Sequence, residues 1–118
     1  MPKVMIVDDA AFMRISIRNM LLKNGFEVVA EAENGADAVS KYSTALPDIV
    51  TMDITMPVMD GLSALKEIKK INKNAKVVMV SALGQEAMVR DAVVSGAVGF
   101  IVKPYKEETI VETLRKLV

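Results

Sequence analysis

Lys3-Val4-Met5-Ile6-Val7-Asp8-Asp9-Ala10 is a short apolar run that stops abruptly on two carboxylates. Val4 to Val7 leave no polar side for water, which marks a strand covered on both faces, as in a parallel sheet. An acidic pair at the end of such a strand lies where open α/β sheets place their ligands, outside the strands' carboxyl ends.

Similar runs recur at residues 48–52, 76–80 and 99–102, and each is read as a strand buried on both faces. Residues 26–31, Phe-Glu-Val-Val-Ala-Glu, mix charges with apolar side chains and are expected to form an edge strand. Between the strands, helical spacing appears at Met13, Ile17 and Leu21, at Val39 and Tyr42, and at Leu65 and Ile68. It returns at Met88, Ala92 and Val93, and again at Ile110, Leu114 and Leu117. Asn24-Gly25, Pro47, Asn72 to Asn74 and Ser95-Gly96 supply the stops between these segments. Five strands alternating with five helices predict a doubly wound parallel α/β sheet with helices on both faces and right-handed crossovers.

The chain has 118 residues, 52% of them hydrophobic, so one domain spanning 1–118 can bury a core without staples. Fifteen basic residues balance fifteen acidic ones, giving no overall field towards nucleic acid or an anionic membrane. No stretch approaches the roughly 20 apolar residues of a membrane span, and a cytoplasmic, monomeric protein is expected. The absence of cysteine removes disulfides and thiolate metal sites; the absence of histidine removes Ser/His/Asp triads and His-ligated zinc. Oxygen-ligand chemistry remains.

Asp8 and Asp9 end the first strand and Asp53 the third, so three carboxylates converge on one crevice. Such a cluster raises its own pKa values unless a cation is bound, and an all-oxygen donor set favours Mg²⁺. The plainer alternative is that these residues are solvated strand ends or helix caps. Lys103, which ends the fifth strand ahead of Pro104, can supply positive charge to phosphate oxygens in the same crevice. Ser81 closes the fourth strand, where its hydroxyl can donate to an anion. In Met56-Pro57-Val58-Met59-Asp60-Gly61, Pro57 and Gly61 shape a loop and Asp60 caps the third helix.

Asp8-Asp9, Asp53, the 56–61 loop, Ser81 and Lys103-Pro104-Tyr105 occur in the order and spacing of response-regulator receiver domains. The resemblance spans the whole chain. Residues 8–14, Asp-Asp-Ala-Ala-Phe-Met-Arg, and 81–88, Ser-Ala-Leu-Gly-Gln-Glu-Ala-Met, resemble the stand-alone chemotaxis regulators of that family. It implies a flavodoxin-like strand order of 2-1-3-4-5 and a cis peptide before Pro104.

It also implies that Asp53 is phosphorylated, that Asp9, Asp53 and the Thr55 carbonyl hold Mg²⁺, and that Asp8 acts through water. Ser81 and Lys103 would grip the phosphoryl group. Ser81 moving towards Asp53 would give Tyr105 space to turn, altering the surface of the fourth helix, fifth strand and fifth helix. The implied phosphodonor is a chemotaxis-type histidine kinase, and the implied output is a flagellar motor switch or adaptor protein. A phosphorelay intermediate or a receiver cut from a larger regulator would share this pocket. A Mg²⁺-dependent phosphohydrolase fits less well, since it wants a second acid where Thr55 stands. A flavin carrier wants hydroxyl and Gly donors after the first strand, where this chain is acidic. The expectation is a signalling switch, not a turnover enzyme.

Overall fold

The computed structural model describes residues 1–118. Its elements run β1 (Lys3–Val7), α1 (Ala11–Lys23), β2 (Glu27–Ala32), α2 (Gly35–Ala45), β3 (Ile49–Asp53) and α3 (Gly61–Ile71). They continue with β4 (Val77–Ser81), α4 (Glu86–Val94), β5 (Gly99–Val102) and α5 (Glu107–Arg115). All strand pairs are parallel and the order is β2-β1-β3-β4-β5.

The two-residue alternation of a strand divides the interior into two cores. Val4 and Ile6 of β1 face Ile17 and Leu21 of α1 and Ile110 and Leu114 of α5. Met5 and Val7 face the other way, towards Ala38 and Tyr42 of α2 and Leu65 and Ile68 of α3. Each large side chain so buried stabilises the fold by about 1.5–3 kcal/mol. Strands β1, β3 and β4 are buried at nearly every position, which explains their unbroken apolar sequences.

β5 departs from the expectation of cover on both faces. Ile101 is buried against the α1/α5 side, but Phe100 is 51% and Val102 38% exposed. On its second face, Phe100 and Val102 line an open groove with Glu86 and Val89 of α4. Helix α4 is shallow: Ala92 is buried, whereas Met88 and Val93, which share its helical spacing, are exposed. Residues 48 and 76, expected inside β3 and β4, precede those strands, which end as expected on Asp53 and Ser81. Phe26 precedes β2 and is fully buried in the α1/α5-side core.

Local chemistry sets the helix ends. Asn34 caps α2 by accepting from the Asp37 N–H at 2.8 Å, and Asp60 caps α3 by accepting from the Ser63 N–H at 2.8 Å. After α1 the chain reverses through Gly25 at φ +86°, a conformation open to glycine at little cost. The Lys103–Pro104 peptide is cis.

The order in which strands are added reverses at β1, whose neighbours are β2 on one side and β3 on the other. That switch point opens a crevice between the carboxyl ends of β1 and β3. At the opposite end of the sheet, Pro2 and Val118 border one cleft with Asn72 and Lys76. Lys76 there donates to the Leu117 carbonyl.

Candidate functional site

Strand register decides which side chains meet. Val7 pairs with Met52, Asp53 with Val80, and Ser81 with Val102. The residues at or just past these positions, Asp8, Asp53, Ser81 and Lys103, therefore form one row along the carboxyl edge of the sheet. Oxygens of Asp8, Asp9 and Asp53 lie within 4.8 Å of one another; Asp8 and Asp53 are buried, and Asp9 is exposed.

The Lys103 ammonium enters between the two buried acids, 3.3 Å from Asp53 Oδ1 and 3.6 Å from Asp8 Oδ2. Asp53 Oδ1 also accepts from the Ile54 N–H at 3.0 Å. Burial pushes the Asp53 carboxyl above its ordinary pKa, the Asp8 charge adds to the rise, and Lys103 offsets part of it. One ammonium facing three carboxylates leaves excess negative charge. The donor set is all oxygen, compact and open on the Asp9 side, which fits Mg²⁺ held by a few carboxylates and its own water.

The loops are anchored from outside the pocket. Asp8 Oδ1 accepts from the Ala10 N–H at 2.9 Å, while the Asp8 carbonyl accepts from Arg14 Nη1 at 2.6 Å. Beyond Asp53, Gly61 packs so tightly that a Cβ there would lie 2.0 Å from the Asp53 carbonyl oxygen. Gly61 N–H donates to the Ile54 carbonyl at 2.7 Å, and Gly35 N–H to the Met59 carbonyl at 2.9 Å. The starts of α2 and α3 thus clamp the 54–60 loop. Within it, Val58 has φ +68°, an unfavourable conformation for a β-branched residue, in a tight turn closed by Met59 N–H to the Pro57 carbonyl.

Ser81 is buried within this row, but the bonds to Asp53 come from Ile54 and Lys103. Thr55 lies in the loop after Asp53, and its hydroxyl accepts from Gln85 Nε2 at 2.7 Å. Tyr105 packs against the α1/α5-side core, and its hydroxyl is shut away from solvent without a partner. Burial, followed by the charges of Asp8 and Asp53, pushes its phenol up to about 12.

Arg14 and Gln85 lie within the stretches that resemble the chemotaxis regulators, with no role marked for either in the sequence, and no motif marks Gly35. Asn34 directly before a helical segment was a usable cap signal for the α2 start. Nothing in local spacing announces the Arg14 or Gln85 contacts, whose partners are other loops.

A doubly wound parallel sheet that gathers three acids and a lysine at its switch point defines a receiver architecture. The family model described as response regulator receiver domain matches residues 4–115, and the chain belongs to that family. It is 60% identical over 114 residues to the chemotaxis protein CheY of Bacillus subtilis (strain 168), covering 97% of this chain and 95% of that one. Identity to CheY of Thermotoga maritima is 55% over 115 residues, covering 98% and 96% of the two chains. A CheX-CheY-BeF3-Mg²⁺ complex from Borrelia burgdorferi gives a TM-score of 0.93 at 40% identity, covering 98% of this chain and 87% of that chain. The chain is thus a CheY-like receiver, a chemotaxis response regulator of the two-component type and a signalling switch.

Proposed function

We propose that Asp53 accepts a phosphoryl group from the phosphohistidine of a chemotaxis kinase. The observation that carries this reading is the Lys103 ammonium 3.3 Å from Asp53 and 3.6 Å from Asp8, at the mouth of an acidic crevice. An Asp53 carboxylate oxygen attacks phosphorus in line, the P–N bond to the donor imidazole breaks, and the imidazole nitrogen takes a proton. Lys103 neutralises charge on the phosphoryl oxygens, and Ser81 donates a hydrogen bond to one of them. Asp9, Asp53 and the Thr55 carbonyl would hold Mg²⁺, with Asp8 acting through water. When bound, the ion neutralises charge on the transferring group.

Hydrolysis of the acyl phosphate returns Asp53 to its carboxylate and resets the switch. In the phosphorylated state Ser81 is drawn towards Asp53 and Tyr105 repositions, changing the face formed by α4, β5 and α5. The exposed Phe100 and Val102 belong to that face. Its partner is a flagellar motor switch or adaptor protein, and the setting is the cytoplasm; no helix is long and apolar enough to cross a membrane.

Incubation with acetyl phosphate and Mg²⁺ is expected to add the mass of one phosphoryl group to the wild type and none to Asp53→Asn. Sustained turnover of a free phosphomonoester without stoichiometric labelling would overturn the reading.

A further inference from the structure

Gln85 stands just before α4 and joins the two loops that border the acidic crevice. Its Oε1 accepts from the Ala82 N–H at 2.6 Å, and its Nε2 donates to Thr55 Oγ1 at 2.7 Å. Although Gln85 occupies the capping position of α4, its side chain makes no capping bond to that helix. Both ends of the amide are turned instead towards the loops after β3 and β4, so helix capping does not account for them.

Ala82 N–H is the next backbone donor after Ser81, beside the row that carries Asp53 and Lys103. Two other donors at these strand ends have main-chain or fixed acidic partners. Ala10 N–H is taken by Asp8, and Ile54 N–H by the Val80 carbonyl and Asp53. Ala82 N–H is held by a neutral carbonyl on a partly exposed side chain, which rotation alone can withdraw. An anionic phosphoryl oxygen is the stronger acceptor, since charge-assisted hydrogen bonds are about twice as strong as neutral ones.

We propose that Gln85 is a resting-state latch. Its carbonyl occupies the Ala82 N–H while Asp53 is unmodified, yields that donor to a phosphoryl oxygen on phosphorylation, and thereby releases Thr55 and the loop leading into α4. Gln85 is a positioning residue: it touches no reacting atom and biases the receiver towards its unmodified state. A bond made only in that state opposes the phosphorylated one by its own free energy. This proposal rests on the reading of Asp53 as the phosphoryl acceptor.

The test uses ¹⁵N-labelled full chain, with beryllofluoride and Mg²⁺ as the phosphoryl mimic, in wild type, Gln85→Ala and Gln85→Met. Gln85→Met keeps the side-chain length and apolar stem while removing both polar ends, and thermal melts establish that each variant is folded. Without ligand, the Ala82 amide is expected to exchange with solvent faster in both variants than in wild type. At saturating beryllofluoride its protection is expected to be equal in all three. Both variants are expected to bind beryllofluoride about 2- to 10-fold more tightly, the range for one net hydrogen bond. Equal or weaker binding by the variants, with wild type binding normally, would overturn the latch alone. A wild type that fails to bind would overturn the Asp53 reading and the latch with it.

Discussion

Asp53 and Tyr105 illustrate the cost of placing polar groups where sequence pattern alone would put apolar ones. Burial and Asp8 together outweigh Lys103 in raising the Asp53 pKa, so the folded chain holds this proton more tightly than the unfolded chain does. The native state accordingly loses stability as pH rises from the ordinary carboxylate value through the raised one, and the penalty is fully present above it. In divalent-free buffer at neutral pH, Asp53→Asn is expected to raise the melting temperature, by roughly 4 °C for each ~1 kcal/mol relieved. An unchanged or lower melting temperature would contradict this account. Tyr105 has the same sign in a different window: its phenol moves from 10.0 to about 12. The stability tied to that retained proton is intact below 10.0 and is lost as pH rises towards about 12. Its buried hydroxyl also lacks a partner, so Tyr105→Phe is expected to be neutral or up to ~1 kcal/mol stabilising in urea melts at neutral pH. The same variant should lose less stability than wild type at about pH 11.

The decisive element is the 54–60 loop, gripped between the first residues of α2 and α3. Gly61 touches the Asp53 carbonyl so closely that a methyl group would meet backbone, which has no side-chain freedom with which to yield. Gly61→Ala is therefore expected to destabilise by about 3 kcal/mol or more, well above the ~1 kcal/mol typical of losing the Asp60 cap. It should also reduce labelling by acetyl phosphate, because the displaced group is the backbone of Asp53 itself. Chemical denaturation of Gly61→Ala and Asp60→Ala side by side ranks the two effects. Equal losses would mean that the close approach is not the dominant constraint. The loop was legible as a Pro/Gly turn with an acidic cap, but the tightness of the Gly61 contact and the support from Gly35 were not. Both involve partners remote from the glycine in sequence, which local propensity does not encode.

For the whole molecule, β1, β3 and β4 could be read because burial on both faces leaves an uninterrupted apolar string. β5 looked the same, yet Phe100 and Val102 lie open because composition says nothing about which helix reaches an outer strand. Alternation determined the class of sheet, whereas the order of strands came from family resemblance: short crossovers leave several neighbour orders open. The acids and Lys103 were legible because strand ends are readable; the Gln85 contacts were not. Since the acidic end of the sheet is the costly part of the fold, Mg²⁺ is expected to raise the wild-type melting temperature, increasingly with the logarithm of its concentration above the dissociation constant. Asp9→Asn and Asp53→Asn should each blunt that response; an equal rise in all three would place the ion elsewhere. At the opposite pole, α5 returns the chain so that Pro2 and Val118 border a single cleft. A dye, a linker or a sensor-chip tether attached through either residue would therefore leave the acidic pole pointing into solution, and two probes at these positions would report on one another rather than on the pocket.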